Sequence, residues 1–246
     1  MSMKRKVIIT VESRMGSTRL PGKCDLPILN TTTTGILIER LKQVRNADGI
    51  VVATTVNPKD DVLEERAKQF GVGCFRGSEE DVMSRVIGAG ESAKADVIVE
   101  VTGDCLLLDP KLLEQGIELF LGSNVDVVTN VMDGKVSYPQ GMDVQVFPLR
   151  LLKEAYPHAS EDQREHVSLY FYQNPKKYRI QFMEAGGQHR LPNWRLMLDY
   201  EQDYRLLKAV FEKIYSQKKD FGLDDVIATI QADSALLKLA EATYDR

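Results

Sequence analysis

The sequence has few of the residues that build disulfide frameworks or transition-metal sites. Its three cysteines, Cys24, Cys74 and Cys105, are widely spaced without a Cys-x-x-Cys pair, and its three histidines lack zinc-site spacing. We therefore expect reduced thiols, as in a cytoplasmic protein, and no transition metal. No apolar run approaches the roughly 18 residues that a membrane-spanning helix needs, so we expect a soluble protein without a membrane partner.

Several signatures of common enzyme classes are also missing. There is no Gly-x-Gly-x-x-Gly, which argues against a dinucleotide dehydrogenase, and no Gly-x-Ser-x-Gly, which argues against a triad hydrolase. A Walker A loop fails because five residues separate Gly16 from Gly22 where four are needed, and Cys24 stands where Ser or Thr belongs. With net charge −4, general affinity for nucleic acid is not expected.

The chain instead carries a cationic, glycine-spaced segment near its start. Residues 14–23 read Arg-Met-Gly-Ser-Thr-Arg-Leu-Pro-Gly-Lys, with three cations and no carboxylate, after the strand-like run 7–11. Glycines allow backbone N–H groups to close around phosphate oxygens, which the cations neutralise. In an acidic chain this segment predicts a polyphosphate-binding loop, with an ordinary solvated loop as the alternative.

The remaining pattern predicts an α/β fold. A length of 246 residues with 43% hydrophobic content suits one large domain, expected over residues 1–246. Short β-branched runs predict strands at 7–11, 50–55, 72–75, 97–101 and 125–129, and helical spacing occurs at 35–44, 60–70, 79–93 and 110–121. This alternation predicts a mainly parallel sheet with helices on both faces.

The pattern becomes less regular after about residue 130. We expect extended chain over 136–147, largely helical structure over 149–174, and strands at 178–185 and 194–198. Helices are expected at 201–214 and 223–242.

Two aspartates at predicted strand ends suggest a metal site. Asp104 follows strand 97–101 behind Gly103, and Asp199 follows the apolar run 194–198. In parallel sheets, the loops after the strands meet at one edge, here 13–23, 76–81 and 102–105. Magnesium takes one or two protein carboxylates together with phosphate oxygens, so the pair fits a Mg²⁺–nucleotide site. A helix cap or a turn is the alternative for each aspartate alone.

Six motifs carry a resemblance to a known family. They are residues 14–23, Phe75-Arg-Gly-Ser, Thr102-Gly-Asp-Cys, Tyr138-Pro-Gln-Gly-Met-Asp, Arg164-Glu-His-Val and Leu198-Asp-Tyr-Glu-Gln-Asp. From about residue 7 to about residue 207 the chain resembles cytidylyltransferases of the spore-coat polysaccharide biosynthesis protein F type, relatives of the KDO and acylneuraminate cytidylyltransferases. The resemblance implies a nucleotide-diphospho-sugar transferase fold and transfer of CMP from CTP to a sugar acid or sugar phosphate, with release of pyrophosphate.

The resemblance also implies residue roles. The triphosphate would be held by Ser13, Arg14, Gly16, Ser17, Thr18, Arg19 and Lys23, with Arg14 and Lys23 as the catalytic cations. Asp104 and Asp199 would hold Mg²⁺, and Arg76, Gly77, Ser78 and Asp81 would lie near the nucleoside. The sugar would be bordered by Tyr138, Gly141, Asp143, Gln145, Arg164, Glu165 and His166. Residues 133–180 would form a sugar-binding and dimerisation subregion of a homodimer.

Some positions depart from the family pattern and keep other functions open. Glu12 stands where the family usually has Gln, and Gln145 stands where it usually has Glu. A carboxylate two residues before a phosphate loop repels a triphosphate unless it points elsewhere. A protein that binds a nucleotide without chemistry is therefore one alternative. A glycosyltransferase is the other, although its usual Asp-x-Asp metal motif is missing. On the acceptor side, an ordinary surface ion pair of Arg164 with Glu165 and a His166 packed on the sheet are the alternatives.

Overall fold

The computed structural model describes residues 4–132 and 135–242, and it alternates strands with helices. The strands within these residues are β1 (Val7–Glu12), β2 (Pro27–Ile28), β3 (Thr31–Thr32), β4 (Gly49–Thr55), β5 (Gly73–Gly77), β6 (Val97–Thr102), β7 (Val127–Thr129), β8 (Val131–Met132), β9 (Lys135–Val136), β10 (Gln145–Pro148) and β11 (Ile180–Phe182). The α-helices are α1 (Thr33–Leu41), α2 (Asp61–Gln69), α3 (Val82–Ser92), α4 (Pro110–Gly122), α5 (Leu149–Ala155), α6 (Glu161–Glu165), α7 (Leu169–Tyr172), α8 (Glu201–Ile214), α9 (Leu223–Gln231) and α10 (Ser234–Ala240). None of these helices has the length and apolar character required to cross a membrane.

The centre of the fold is a seven-stranded sheet in the order β11-β7-β10-β6-β1-β4-β5. Strands β6, β1, β4 and β5 are parallel, β11 is parallel to β7, and β10 runs antiparallel between β7 and β6. Two short antiparallel ladders, β2–β3 and β8–β9, lie outside this sheet. The predicted, mainly parallel sheet is therefore confirmed.

The alternation of side chains along the strands gives the sheet two different faces. Val7, Ile9 and Val11 of β1 join the larger core with α1, α4, α8, α9 and α10. Ile8 faces the opposite side, where α3 packs. The same face carries Ile98 of β6, which packs with residues of α3, α5 and α7. Because side chains on a strand alternate with period two, the later even-numbered positions of β1 and β6 point towards α3, α5 and α7 as well.

The structure corrects the sequence prediction mainly after residue 130. The predicted strands 7–11, 50–55, 72–75, 97–101 and 125–129 are confirmed with small shifts at their ends, as are the helices between them. The strand predicted at 194–198 is wrong, because this segment makes one isolated bridge, between Gln140 and Arg195. Trp194, Leu196 and Leu198 alternate with Arg195 and Met197 because they fill the larger core, which imitates a strand pattern. The predicted extended chain 136–147 pairs at its two ends, in β9 and β10.

One glycine on α4 sets how closely that helix approaches the sheet. A Cβ at Gly116 would lie 2.4 Å from Val144 Cγ1, and Val144 is fully buried. A Cβ at Gly122, at the end of the same helix, would meet nothing within 4 Å. Because Val144 is β-branched and enclosed, it has no room to move away from an added methyl group.

We predict that Gly116→Ala destabilises the fold by about 1–3 kcal/mol through overpacking. Gly122→Ala is the matched control in the same helix, and its expected change is below about 1 kcal/mol. Urea unfolding followed by circular dichroism measures both values. Equal stability of the two variants would contradict the packing argument.

Candidate active site

A cavity of about 330 Å³ opens beyond the carboxyl ends of β1 and β6. Its walls are the segment that follows β1, residues Thr102 to Asp104 after β6, Val82 and Arg85 of α3, and Glu165 with His166. We call it the first cavity. Its position at the carboxyl edge of a parallel sheet is the one that the sequence predicts.

Hydrogen bonds to two neighbouring segments fix the loop between β1 and the short helix Lys23–Asp25. Met15 N donates to Asp60 Oδ1 at 2.8 Å, and Thr33 Oγ1 donates to the carbonyl oxygen of Lys23 at 2.6 Å. Gly22 has φ 73°, a conformation that favours glycine, and it turns the chain immediately before Lys23. The loop is therefore fixed by side chains from α1 and from the segment before α2.

Lys23 joins the two aspartates that the sequence places at strand ends. Its Nζ donates to Asp104 Oδ2 at 2.9 Å and to Asp199 Oδ1 at 2.8 Å. Arg195 donates to Asp199 Oδ2 at 2.8 Å, and Arg19 donates to Asp199 Oδ1 at 3.0 Å. Asp199 is 3% exposed, so both of its oxygens are occupied in a buried position. We call Lys23, Asp104 and Asp199 the ion cluster.

The protonation of the ion cluster follows from these contacts. Burial opposes the charge of Lys23, but Asp104 and Asp199 raise the pKa of its ammonium group above the ordinary value. Burial likewise opposes ionisation of Asp199, but Lys23 and Arg195 lower the pKa of its carboxyl group. Both groups are therefore charged near neutral pH.

A second cavity of about 470 Å³ adjoins the first and shares Glu12, Thr102, Glu165 and His166 with it. It lies on the face of the sheet that is covered by α3, α5 and α7. Its further lining comes from the β8–β9 ladder, from Gln145 of β10, and from the segment 167–172. The two cavities thus adjoin each other at the end of β1.

Two carboxyl groups lie side by side in the second cavity. Thr10 pairs with Glu100 and Glu12 with Thr102 in the parallel register of β1 and β6, so Glu12 and Glu100 are diagonal neighbours on one face. Each carboxyl group lies close enough to affect the pKa of the other, and a hydrogen bond between two carboxyl groups requires that one of them keeps a proton. Glu100 also accepts a hydrogen bond from the Ser168 hydroxyl. We call Glu12 and Glu100 the acid pair.

Burial dominates the titration of the acid pair. It raises the pKa of Glu12 well above the ordinary value, and the negative charge of Glu100 raises it further while Arg85 lowers it. Burial raises the pKa of Glu100 to about 7, partly offset by the hydrogen bonds from Ser168 and Glu12. The pair therefore keeps a proton up to near neutral pH.

The structure brings most of the predicted phosphate-loop and metal residues together. The first cavity is lined by Ser13, Arg14, Gly16, Ser17, Thr18, Arg19, Lys23 and Asp104, and Asp199 reaches it through Lys23. Among the residues predicted to border the sugar, Glu165 and His166 line both cavities and Gln145 lines the second. The roles of these residues stay predictions.

The four residues predicted to lie near the nucleoside have their contacts outside the two cavities, and their role stays a prediction. Arg76 forms ion pairs with Asp61 at 2.7 Å and Glu64 at 3.0 Å, on α2. Asp81 caps α3 by accepting from Ser84 N, and Ser78 Oγ accepts from Asp81 N. Neither cavity is lined by Arg76, Gly77, Ser78 or Asp81. The reason is the strand order: β5 is the edge strand of the sheet, two positions from β1, so the loop that follows β5 lies at the edge of the sheet and not beside the first cavity.

Four residues of the predicted sugar border also lie outside both cavities. Arg164 stacks on Tyr156 at 4.5 Å from the ring centre and pairs with Asp81 at 3.7 Å.

The other three residues of this set have structural surroundings. Tyr138 lies against His189, with the ring centres 6.4 Å apart. Gly141 has φ 92° and approaches the backbone of Leu196 so closely that a Cβ would lie 2.7 Å from its carbonyl oxygen. Burial raises the pKa of Asp143 to about 7, and the charge of Asp104 adds to that shift.

Sequence reasoning missed the residues that build the second cavity and support the ion cluster. They are Glu100, Ser168 and Tyr172 in the cavity, and Arg85 and Arg195 beside the ion cluster and the loop. One signal was available for Glu100, which is a lone charge in the apolar strand Val-Ile-Val-Glu-Val-Thr. Another was available for Arg195, which precedes Asp199 by four residues. Ser168 and Tyr172 gave no such signal.

Comparisons with known proteins agree with this geometry. A family model described as cytidylyltransferase matches residues 8–221. The spore coat polysaccharide biosynthesis protein SpsF of Bacillus subtilis (strain 168) is 34% identical over 232 residues, which cover 91% of this chain and 93% of that protein. A cytidylyltransferase structure from Leptospira borgpetersenii serovar Hardjo-bovis (strain JB197) has a TM-score of 0.89 at 34% identity and covers 99% of this chain and 100% of that one.

A more distant solved structure shares the fold. It is a CMP:2-keto-3-deoxy-manno-octonic acid synthetase complexed with CTP, with a TM-score of 0.63 at 18% identity, covering 85% of this chain and 99% of that one. The fold and the matched residues define the chain as a nucleotidyltransferase, an enzyme with the nucleotide-diphospho-sugar transferase fold. More narrowly, the chain belongs to the cytidylyltransferase family. The family and fold that the sequence motifs implied are confirmed.

The acid pair predicts a pH dependence of stability. The folded protein raises the pKa of Glu100 to about 7, above the ordinary 4.5. Glu100 therefore adds to the free energy of unfolding below pH 4.5, and this contribution is lost as the pH rises through 7. Because glutamine does not titrate, Glu100→Gln removes this pH-dependent loss of stability. We therefore expect the melting temperature of the variant, relative to the parent protein, to increase from pH 5 to pH 8.

Differential scanning fluorimetry at matched ionic strength measures this trend. The control is Glu118→Gln, an exposed position on α4, for which the difference from the parent protein stays constant with pH. A constant difference for Glu100→Gln as well would show that the acid pair does not hold a proton in the folded state.

Proposed function

We propose that the chain transfers CMP from CTP to a sugar acid or sugar phosphate, with release of pyrophosphate, in a Mg²⁺-dependent reaction. The observation that carries the proposal is the ion cluster, in which one loop cation lies between a carboxylate that follows β6 and a carboxylate that precedes α8, at a cavity with further cations. The solved synthetase complexed with CTP supports the choice of nucleotide through its fold. The spore coat polysaccharide role of SpsF supports a sugar acceptor.

The residues of the first cavity match the demands of transfer at the α-phosphorus. Negative charge develops on the phosphate oxygens and on the leaving pyrophosphate, and fixed cations stabilise that charge most when they need no rearrangement. Arg14, Arg19 and Lys23 supply the cations. The loop that carries them is fixed by hydrogen bonds to the side chains of Asp60 and Thr33. Gly16 and Ser17 line the same wall, where backbone and hydroxyl groups can donate to phosphate.

Asp104 and Asp199 fit a divalent ion. They lie close enough to share the Lys23 ammonium group, and carboxylate oxygens are the ligands that Mg²⁺ prefers. Among the described residues, no group of three or more His, Cys, Asp or Glu could hold a metal, so phosphate oxygens and water would complete the coordination. When bound, the ion would neutralise charge on the phosphates.

The second cavity supports an acceptor site that continues from the nucleotide site. Gln145, Glu165, His166, Ser168 and Tyr172 line it, and all belong to segment 133–180, which the sequence assigns to sugar binding. Residues 133 and 134 lie outside the described residues. The homodimer belongs to the same proposal, and closed two-fold dimers are the commonest oligomers.

Pyrophosphate release is the direct test. The four nucleoside triphosphates, each with Mg²⁺, are combined with a panel of sugar acids and sugar 1-phosphates. We expect release with CTP and at least one acceptor, and none without an acceptor. Thermal stabilisation by CTP without turnover across the panel would instead indicate a binding protein.

We predict that Lys23→Ala and Arg14→Ala each lower turnover by about 100- to 1,000-fold, because each removes a preorganised cation. Lys59→Ala, which changes an exposed lysine outside both cavities, serves as the control and keeps normal turnover. The variants are compared by pyrophosphate release with folding checked by circular dichroism. Near-normal turnover in a folded Lys23→Ala enzyme would remove its assigned role.

We further predict that divalent-ion binding depends on the nucleotide. Lys23 already occupies oxygens of Asp104 and Asp199, so an ion must compete with it until a triphosphate supplies another partner for the ammonium group. Free Mn²⁺ measured by electron paramagnetic resonance should show at least about tenfold tighter binding in the presence of CTP. Asp104→Asn should weaken that binding, whereas Asp220→Asn, at an exposed position, should not. Equal Mn²⁺ affinity with and without CTP would contradict the coupling.

A further inference from the structure

The second cavity has an unusual balance of charge. Its described lining contains three glutamates, Glu12, Glu100 and Glu165, and contains neither lysine nor arginine. Asp143 lies near enough that its carboxylate, when ionised, raises the pKa of Glu100. His166 at the shared rim is the one lining side chain among the described residues that can become cationic. The cavity therefore presents a negative potential to whatever enters it.

Glu12 has unused hydrogen-bonding capacity inside this cavity. Its Oε1 is buried and accepts no hydrogen bond from an amide, hydroxyl or cationic donor of the described residues. An unsatisfied buried acceptor is costly, and the proton shared with Glu100 is one way to reduce that cost. A donor that enters from the cavity is the other way, and it would take the place of that proton.

Arg85 compensates the charge of the acid pair only from the side of the first cavity. It lies on α3 close enough for its charge to lower the pKa of Glu12. However, its guanidinium group donates to backbone oxygens, to Ala53 at 3.1 Å and to Ser78 at 2.5 Å. Arg85 lines the first cavity and not the second. Its charge therefore stays on the nucleotide side of Glu12.

The position of the Glu100 side chain is fixed by burial and by a hydrogen bond. It is 4% exposed and accepts from the Ser168 hydroxyl, so its carboxyl group is fixed against the floor of the cavity. Across the cavity, Tyr172 donates to Gln145 Oε1 at 2.7 Å, which fixes both of those side chains as well. The site is thus built from side chains that are already positioned by their own hydrogen bonds.

We infer that the acid pair of Glu12 and Glu100 binds a protonated amino group on the part of the acceptor that enters the second cavity. An ammonium group donates three hydrogen bonds and carries the charge that the cavity lacks. A carboxylate or phosphate in this position would face the glutamates without a lysine or arginine to pair with it. Any anionic group of the acceptor therefore belongs in the first cavity, beside Arg14, Arg19 and Lys23.

The inference rests on the proposed function, since it identifies the acceptor of the same reaction. It gives a role to Glu12, which repels a triphosphate if it points to the first cavity but attracts an amine if it serves the second. When an ammonium group binds, the proton shared by the acid pair passes to solvent, and the two carboxylates then accept from the ligand.

Matched acceptor pairs test the inference by direct binding. Isothermal titration calorimetry in the presence of CMP compares the amino and hydroxyl forms of the same sugar: glucosamine 1-phosphate with glucose 1-phosphate, glucosaminic acid with gluconic acid, and 2-keto-3-deoxy-manno-octonic acid with its 8-amino analogue. We expect at least one amino form to bind about tenfold or more tightly than its hydroxyl form, as hydrogen bonds to charged groups allow. Glu12→Gln, which keeps the side-chain shape, should reduce that ratio to about one.

Two further variants sharpen the result. Glu100→Gln should also abolish the preference for the amino form, and it replaces Glu12→Gln if that variant does not fold. Glu118→Gln on α4 carries the same chemical change at an exposed site, and it should leave the preference unchanged. No preference for any amino form in the parent protein, including no binding at all, overturns the inference, as does a preference that survives both substitutions.

The two proposals fail in different ways. A preference for amino forms without pyrophosphate release would contradict the proposed function and leave this binding site standing. Pyrophosphate release from CTP at equal efficiency with amino and hydroxyl forms would contradict the acid-pair inference alone.

Discussion

The interaction on which the functional end of the fold depends is the ion cluster. Lys23 is 81 residues from Asp104 and 176 residues from Asp199, and its ammonium group bonds both. Each aspartate is held in turn, because Leu198 N donates to the carbonyl oxygen of Asp104 at 2.9 Å and Arg195 donates to Asp199. Charges that are largely removed from water must be paired, so these contacts fix the glycine loop, the end of β6 and the segment before α8 in one arrangement.

The two cavities at the end of β1 differ in the charge of the side chains that line them. The first cavity takes its cations from one continuous loop and from α3, whereas the second takes its acids from β1, β6 and the end of α6. Glu12 stands at the boundary, and the parallel register of β1 and β6 decides which carboxyl group lies next to it. A shift of one residue in that register would move Glu100 into the larger apolar core, so the packing of Ile8 and Ile98 also protects the acid pair.

Local patterns explain why the first half of the chain was easier to predict than the second. Strands β1, β4 and β6 are runs rich in β-branched residues that pair in parallel, and α4 begins at Pro110, as predicted. After residue 130 the sheet gains an antiparallel strand, β10, and the apolar alternation around Trp194 belongs to core packing rather than to a strand. An alternation of apolar and polar residues shows which side chains are buried, but it does not show whether the segment pairs in a sheet or only packs against the core.

The sequence by itself indicated the candidate phosphate loop, because its glycines, hydroxyls and cations lie within ten consecutive residues. It also determined Asp104 and Asp199 as candidates, because each follows an apolar run. Only the tertiary structure decided that Arg76 and Asp81 lie at the rim, since that depends on β5 being the edge strand. Only the tertiary structure decided that Ser168 bonds Glu100 and that Tyr172 lines the same cavity, since such arrangements arise from how helices and strands pack and leave no periodic trace in the chain.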